Sequence, residues 1–379
     1  MNQKLLASME LLSLIGYEAV LAWLMGAFRP MQQKRKSGYL LLAFLPLAIM
    51  VMFHGENVGY DTPIYLQLFD SIKKMSLEEI LQDGRFETGY LLLNYFLTRI
   101  FSDGQSVMIV EGAIVCLSCA RWINKWSRAP GLLICLMVET LWFDHWMSLL
   151  RQSLAVAILL FSYDAIVEKK PLRFLVEVIL AAQFHAVAYA FLVAYPTVWW
   201  FRTERKESHK KSWKFEHLML SGAIGVTILF QPALRLVLRI FPKYQYYLDG
   251  AYIDGKPRLA VFLNIMVYSV MLLVPRLVKN RRPEPEKDTH ARTLYRMSLI
   301  NIVLFVAANQ ATVMTRIAYS FSIFAMMDSA EQVAQLKNGK NREILTVVML
   351  ILFALYGVIA TVYRTPAWQK TYPFEWCFR

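Results

Sequence analysis

The sequence predicts an all-α, polytopic transmembrane helical bundle, and three observations carry that prediction. Apolar stretches close to the length needed to cross about 30 Å of hydrocarbon recur from end to end, separated by short polar segments. Only 18% of the residues are charged and 57% are hydrophobic, far from the roughly one quarter of charged residues in a soluble domain. The lysines and arginines behind a formal charge of +13 sit in short clusters between the apolar stretches. That is how cytoplasmic loops orient a membrane protein, so the expected partner of the basic charge is the lipid bilayer and not a nucleic acid.

The charge clusters set an expected topology. Arg29 to Lys36, Arg121 to Arg128, Glu168 to Arg173 and Arg202 to Lys214 are markedly basic, and Lys279 to Arg296 and Lys337 to Arg342 are mixed but dense in charge. All of them are assigned to the cytoplasmic side. Leu5 to Phe28 is followed by basic residues and not by a small-residue cleavage site, so it reads as a retained span running inward. Tyr39 to Phe53 runs outward, which leaves residues 55–87 as an external loop. Between Glu87 and the internal Arg121 the chain must cross an odd number of times, yet two apolar runs are present. Gly89 to Phe101 is therefore read as an interfacial or re-entrant half-helix and Gln105 to Trp122 as the span.

Leu132 to Trp146 then returns outward and Leu154 to Val167 comes back in, which places Arg151 and Gln152 at the outer mouth between them. Phe174 to Trp200 must begin and end inside, and its halves are each barely long enough to cross, so it reads as a hairpin with its apex near His185. Phe215 to Phe230 exits, residues 232–258 form a second external loop, and Leu259 to Val278 returns. Leu294 to Ala308, Thr315 to Met327 and Ile344 to Tyr363 complete a single membrane domain over residues 1–379, with about twelve spans plus the half-helix and both termini outside.

The absences narrow the chemistry. Cys116, Cys119, Cys135 and Cys377 form no framework of paired loops, three of them fall in apolar stretches, and no redox or metal role is expected of them. No HExxH, DxD or zinc spacing occurs, and neither a Gly-rich phosphate loop nor a GxSxG elbow, so no metal or cofactor is expected. Aromatic residues near span ends, such as Trp142, Trp146, Trp199 and Trp200, read as an interfacial belt.

The informative residues are those that disobey the orientation. Arg151 and Arg316 both fall at outer helix ends beside apolar runs, at a desolvation cost that an anion would offset; snorkelling to lipid headgroups or pairing with a carboxylate is the alternative. Asp61, Glu87 and His185 fall on the same outer side. The two acids read singly as solvated loop residues, whereas His185 interrupts the otherwise apolar stretch Val178 to Ala194.

These residues sit in a series of short motifs: Val58-Gly59-Tyr60-Asp61-Thr62-Pro63-Ile64-Tyr65, Glu87-Thr88-Gly89-Tyr90 with Leu93-Asn94, Leu150-Arg151-Gln152-Ser153-Leu154-Ala155, Ala181-Ala182-Gln183-Phe184-His185-Ala186, and Arg316-Ile317-Ala318-Tyr319. In order and spacing the series resembles the EpsG-like branch of the Wzy-type polysaccharide polymerases, over most of the chain. One departure stands out, because His54-Gly55-Glu56-Asn57 occupies the place where such polymerases carry an arginine.

The resemblance implies a GT-C-like membrane glycosyltransferase. It would transfer a growing glycan from its polyprenyl diphosphate carrier onto the terminal sugar of another carrier-linked repeat unit, at the outer face of the bacterial inner membrane, with no nucleotide sugar and no metal. It also implies a chain-length regulator and a flippase as companions. Glu87, His185 and Asp61 would be the catalytic residues, with Glu87 or His185 accepting the proton of the acceptor hydroxyl and Asp61 orienting sugar hydroxyls. Arg151 and Arg316 would neutralise the departing diphosphate, and Tyr65, Gln152 and Tyr319 would hold sugar or support these groups. A lipid-linked oligosaccharide flippase and a polysaccharide O-acyltransferase are the competing readings. The first should show paired halves, and the second leaves the carboxylate and arginine set unexplained.

Overall fold

The structure is a computed structural model that describes residues 2–199, 212–240, 258–278, 288–311, 314–365 and 370–378. In chain order the helices are α1 (Gln3–Met25), α2 (Gln33–Phe53), α3 (Thr62–Ile72), α4 (Leu77–Gln82), α5 (Thr88–Ile100), α6 (Gln105–Trp126), α7 (Pro130–Glu139), α8 (His145–Ser148), α9 (Leu150–Val167), α10 (Pro171–Ala182), a 3-10 helix (Ala186–Val193), α11 (Ala194–Trp199), α12 (Ser212–Ile240), α13 (Leu259–Leu277), α14 (Thr289–Ala308), α15 (Met314–Ala334) and α16 (Gly339–Arg364). The described residues contain no strand, and His54 and Trp376 form an isolated antiparallel bridge. The all-helical class expected from the sequence is the observed one.

Local sequence accounts for the helix ends. Asn2 and Asn338 cap α1 and α16 through their side chains, and Ser76 and Glu79 close a reciprocal capping box on α4. Prolines open α7 and α10, where a missing N–H costs nothing. Gly26 ends α1 with a φ of 68°, a left-handed value that a side chain would resist.

Contacts divide the chain into two units, residues 1–191 with 330–379, and residues 192–329. In the first, α2 packs on α6, α6 on α9, α9 on α10, and α1, α7 and α16 pack together. Of the charge clusters assigned to one side of the membrane, Arg29 to Lys36 and Arg121 to Arg128 meet at one end of this unit, whereas residues 202–211 and 279–287 of two others lie outside those described. The Met31 N–H donates to the Arg128 carbonyl, Lys36 Nζ to the Ser127 carbonyl at 2.8 Å, and Arg121 and Lys125 pair with the buried Asp164 at 2.7 and 2.9 Å. The residues assigned to the other side meet at the opposite end of the same helices. There the Tyr60 N–H donates to Ser148 Oγ, and the Gly55 N–H donates to the Glu375 carbonyl. In the second unit α14 packs against α12 and α13, and Arg276 pairs with Asp328 at 2.8 Å.

Seven helices among the described residues are long and apolar enough to cross a membrane: α1, α2, α6, α9, α13, α14 and α16. These seven do not by themselves confirm the expected count of about twelve spans. Leu132 to Trp146 forms only the ten-residue α7, buried along its whole length, before unwinding at Thr140. A helix enclosed by others need not match the bilayer by itself. Gly357 of α16 sits so close to α7 that a Cβ there would fall 2.4 Å from the Glu139 carbonyl oxygen, the close crossing that small residues permit. Phe174 to Trp200 is divided into α10, the 3-10 helix and α11, and the break falls at Gln183 to His185. Phe174 near the start of α10 meets Phe191 near the end of the 3-10 helix, ring centroids 6.2 Å apart, as a chain that turns back requires.

Other expectations change in detail. The segment 55–87, read as an external loop, carries α3 and α4. α5 has 13 residues, about 20 Å of helix, too short to cross, as the half-helix reading required. The segment 232–258 begins inside α12, which continues to Ile240, and residues 241–257 lie outside those described. Trp142 and Trp146 are not belt residues. Both are buried, with centroids 5.6 Å apart and Trp146 also 5.4 Å from Phe143, because the short α8 folds them into the unit.

Candidate active site

Three segments far apart in sequence converge on one carboxylate. Glu87 precedes the first turn of α5, Arg151 lies in the first turn of α9, and Ala186 opens the 3-10 helix. Arg151 Nη1 donates to Glu87 Oε2 in a close ion pair, and the Ala186 N–H donates to Glu87 Oε1 at 2.9 Å. Both carboxylate oxygens are therefore engaged. The side chains are 17% and 22% exposed, enough to admit a ligand and enough desolvation for the pair to hold its geometry.

The guanidinium is held by more than charge. Its carbon lies 4.6 Å from the Phe86 ring centroid and 5.9 Å from that of Tyr90, and it also donates to the Tyr65 hydroxyl. Tyr65, on α3, meets Tyr90, on α5, edge to face with centroids 5.7 Å apart. Burial, against the opposing pull of Arg151, pushes the Tyr65 phenol up to about 12, so it stays protonated and serves as a fixed polar wall. Asp61 stands immediately before α3, one turn from Tyr65, and its charge is felt by that phenol.

His185 occupies the break between α10 and the 3-10 helix. Its Nδ1 accepts from the Val187 N–H at 3.2 Å, which caps the new helix much as an Asn or Asp would. An Nδ1 that accepts is unprotonated, so the neutral ring carries its proton on Nε2, an assignment made from the hydrogen bond. His185 is in that state a donor through Nε2.

Gly89 is what lets α5 and this break approach. A Cβ on Gly89 would lie 2.7 Å from Gln183 Cβ and 2.8 Å from the Gln183 carbonyl oxygen, which accepts from the Tyr90 N–H at 3.1 Å. Gly89→Ala is expected to cost about 1 to 3 kcal/mol by overpacking and to pull the Ala186 N–H off Glu87. A lowered unfolding temperature of the detergent-solubilised protein together with reduced polymer in membranes is the expected result; a Gly89→Ala protein of unchanged thermal stability overturns it.

The remaining residues expected at the site fall as follows. Gln152 is buried on α9 next to Arg151. Arg316 and Tyr319 lie three residues apart at the start of α15, in the second unit, so they share one helix face; Asn301 ties this turn to α14 by donating to the Ala318 carbonyl at 2.8 Å. His54, which stands where an arginine was expected, is buried, and burial lowers its imidazole to about 4. Its Nδ1–H donates to the Val51 carbonyl at 2.7 Å, so a neutral ring closes the end of α2 and no cation is present there.

Two participants were not read from the sequence. Phe86 forms the floor under the guanidinium. Glu111, in the middle of α6, is buried with the Tyr90 hydroxyl and the Arg151 charge as its electrostatic neighbours. A lone acid inside the apolar run Gln105 to Trp122 was the signal that could have found it, since an ionisable residue inside a span marks function by default.

Among the described residues no group of three or more His, Cys, Asp or Glu side chains is placed to hold a metal ion. No curated protein and no solved structure matches the chain. The family model of the EpsG family, however, matches residues 38–376, nearly the whole length, and spans every segment that meets at Glu87 and Arg151. The chain therefore belongs to the EpsG family, a family of Wzy-like polysaccharide polymerases.

Proposed function

We propose that this protein polymerises polyprenyl-diphosphate-linked oligosaccharide repeat units at the outer face of the cytoplasmic membrane. The observation that carries this reading is the meeting of Glu87, Arg151 and the Ala186 N–H, which unites three motifs separated by up to 99 residues at one end of the first unit. A planar guanidinium fixed by a carboxylate, a phenol and two rings is preorganised for a phosphate oxygen, and departure of a lipid diphosphate is the step in which negative charge builds. In this reading a guanidinium group, not a metal ion, neutralises that charge. Arg151 supplies that guanidinium at the site of the first unit.

Around the leaving group the other residues divide the work. His185 Nε2–H donates to an oxygen of the diphosphate or of the sugar ring, and Tyr65 holds the guanidinium in plane. Gln152 supports Arg151 from the same turn of α9. The acceptor hydroxyl gives its proton to a carboxylate, and Asp61, one turn before Tyr65 at the start of α3, takes that role.

The deciding experiment is reconstitution of the purified chain with a lipid-linked repeat unit. Products spaced by one repeat unit are expected. Lipid-linked repeat unit that crosses the bilayer without lengthening would support a flippase, and acylation without lengthening an acyltransferase; either overturns the polymerase reading.

A further inference from the structure

A cavity of about 760 Å³ lies beside α3; Tyr65 reaches the guanidinium whereas Leu66, the next residue, lines this cavity. Its size is within the range of small-molecule sites, about 300 to 1,000 Å³. One wall is the segment after α2, another the turn between α5 and α6, and the third is the C-terminal tail.

The tail is strapped into place by the backbone. The Gly55 N–H donates to the Glu375 carbonyl at 2.8 Å, the Cys377 N–H to the Phe53 carbonyl at 3.0 Å, and His54 pairs with Trp376 as an antiparallel bridge. The Phe374 N–H donates to Glu10 Oε2 at 2.8 Å. Aromatic rings follow one another along the strap, Phe374 to Trp376 at 4.8 Å and Phe378 to Phe53 at 5.4 Å. Even so, Trp376 is 42% and Phe378 72% exposed, an apolar surface that the fold builds and leaves uncovered.

The polar lining selects the ligand. Glu56, Asp103 and Glu375 present carboxylates, Asn57 and Gln105 amides, and Ser102 and Ser106 hydroxyls, while none of the described lining residues is cationic. Asn57 Nδ2 donates to Glu375 Oε2 at 3.2 Å and Gln105 Nε2 to the Met52 carbonyl at 2.8 Å, so these groups are held in position and keep further acceptor capacity. An anion such as the diphosphate would be repelled here, and an acyl chain would leave the carboxylates and amides unpaired. A neutral polyhydroxylated ring satisfies both features, because its hydroxyls donate to carboxylates and its C–H face lies against the electron-rich face of an aromatic ring.

We propose that this cavity is a saccharide subsite, in which the C-terminal strap supplies the stacking platform for a neutral sugar of the glycan while the diphosphate lies at Arg151. The sugar's part in turnover rests on the polymerase reading, whereas its binding does not. Cys377 lines the cavity and is the one cysteine that is not buried, so it reports occupancy directly. Partial burial raises its thiol, with Asp103 adding to the rise, and alkylation is therefore followed at mildly alkaline pH.

The experiment measures the rate of Cys377 alkylation by N-ethylmaleimide in the purified full chain, with lactose, maltose, mannobiose and diacetylchitobiose as probes and inorganic diphosphate as control. At least one disaccharide at twice its Kd is expected to slow alkylation about threefold, and diphosphate is not. Trp376→Ala should abolish the protection; Glu375→Gln, which retains the platform, should weaken it, and Arg151→Lys should leave it intact. Absence of protection by every disaccharide, or protection undiminished in both Trp376→Ala and Glu375→Gln, overturns the subsite. Protection by a disaccharide in a protein that makes no polymer from a lipid-linked repeat unit would instead count against the polymerase reading and keep the subsite.

Discussion

Replacing Arg151 by lysine is expected to lower polymerisation about a hundredfold or more while leaving the amount of protein in the membrane near normal. The charge survives this substitution, but the planar fork does not. Arg151 donates at once to Glu87 and Tyr65 and lies over Phe86, its guanidinium carbon 4.6 Å from the ring centroid. An ammonium is a point donor on a flexible stem, so it keeps one of these contacts and lets the phosphate drift relative to the acceptor. Product ladders from membranes bearing equal amounts of the two proteins give the measurement. A ladder of wild-type length and yield would show that Arg151 only anchors the fold or a headgroup.

The same residue shows what could be read from the sequence and what could not. A cation at the start of α9, at the end of the helices away from the basic clusters Arg29 to Lys36 and Arg121 to Arg128, was visible because charge position is a one-dimensional property of the chain. The opposite-end placement of those clusters follows in the structure, since Lys36, Ser127 and Arg128 meet there. The half-helix at α5 was legible for a similar reason, as a count of crossings. Span number was not, because α7 is a short piece that its neighbours, not its own length, bury, and α10 ends after twelve residues at the break before the 3-10 helix.

The partner of Arg151 could not be read at all. Glu87 appeared as a solvated loop acid, and only the contact between α5 and the break after α10, permitted by Gly89, brings it to the guanidinium with the Ala186 N–H behind it. The burial of Trp142 and Trp146 has the same origin, for it depends on where α8 folds and not on distance from a span end. His185 was visible as a polar interruption of an apolar stretch, but its tautomer is set by the Val187 N–H, a backbone detail with no trace in the side-chain pattern.

Those geometries separate the candidate proton acceptors, and the largest remaining effect is expected at Asp61. Glu87 has both oxygens engaged, by Arg151 and by the Ala186 N–H, so removing its charge should act through the guanidinium. Glu87→Gln and Arg151→Lys should therefore cost about the same singly and little more together, the non-additivity of residues that act as one unit. His185→Gln retains an amide N–H near the position of Nε2–H and should keep much of the activity if the ring is a donor. Asp61→Asn leaves size and hydrogen bonding largely intact and should lower the chemical step by about a hundredfold to ten-thousandfold, additively with Arg151→Lys. The pH profile supplies the sign. A base must lose its proton before it can act, so wild-type turnover falls as the medium becomes acidic, and the residual turnover of Asp61→Asn should have lost that acid limb. If Asp61→Asn polymerises normally with the acid limb unchanged while His185→Gln is inactive, the imidazole is the base, and the Val187 N–H must release Nδ1 when substrate binds.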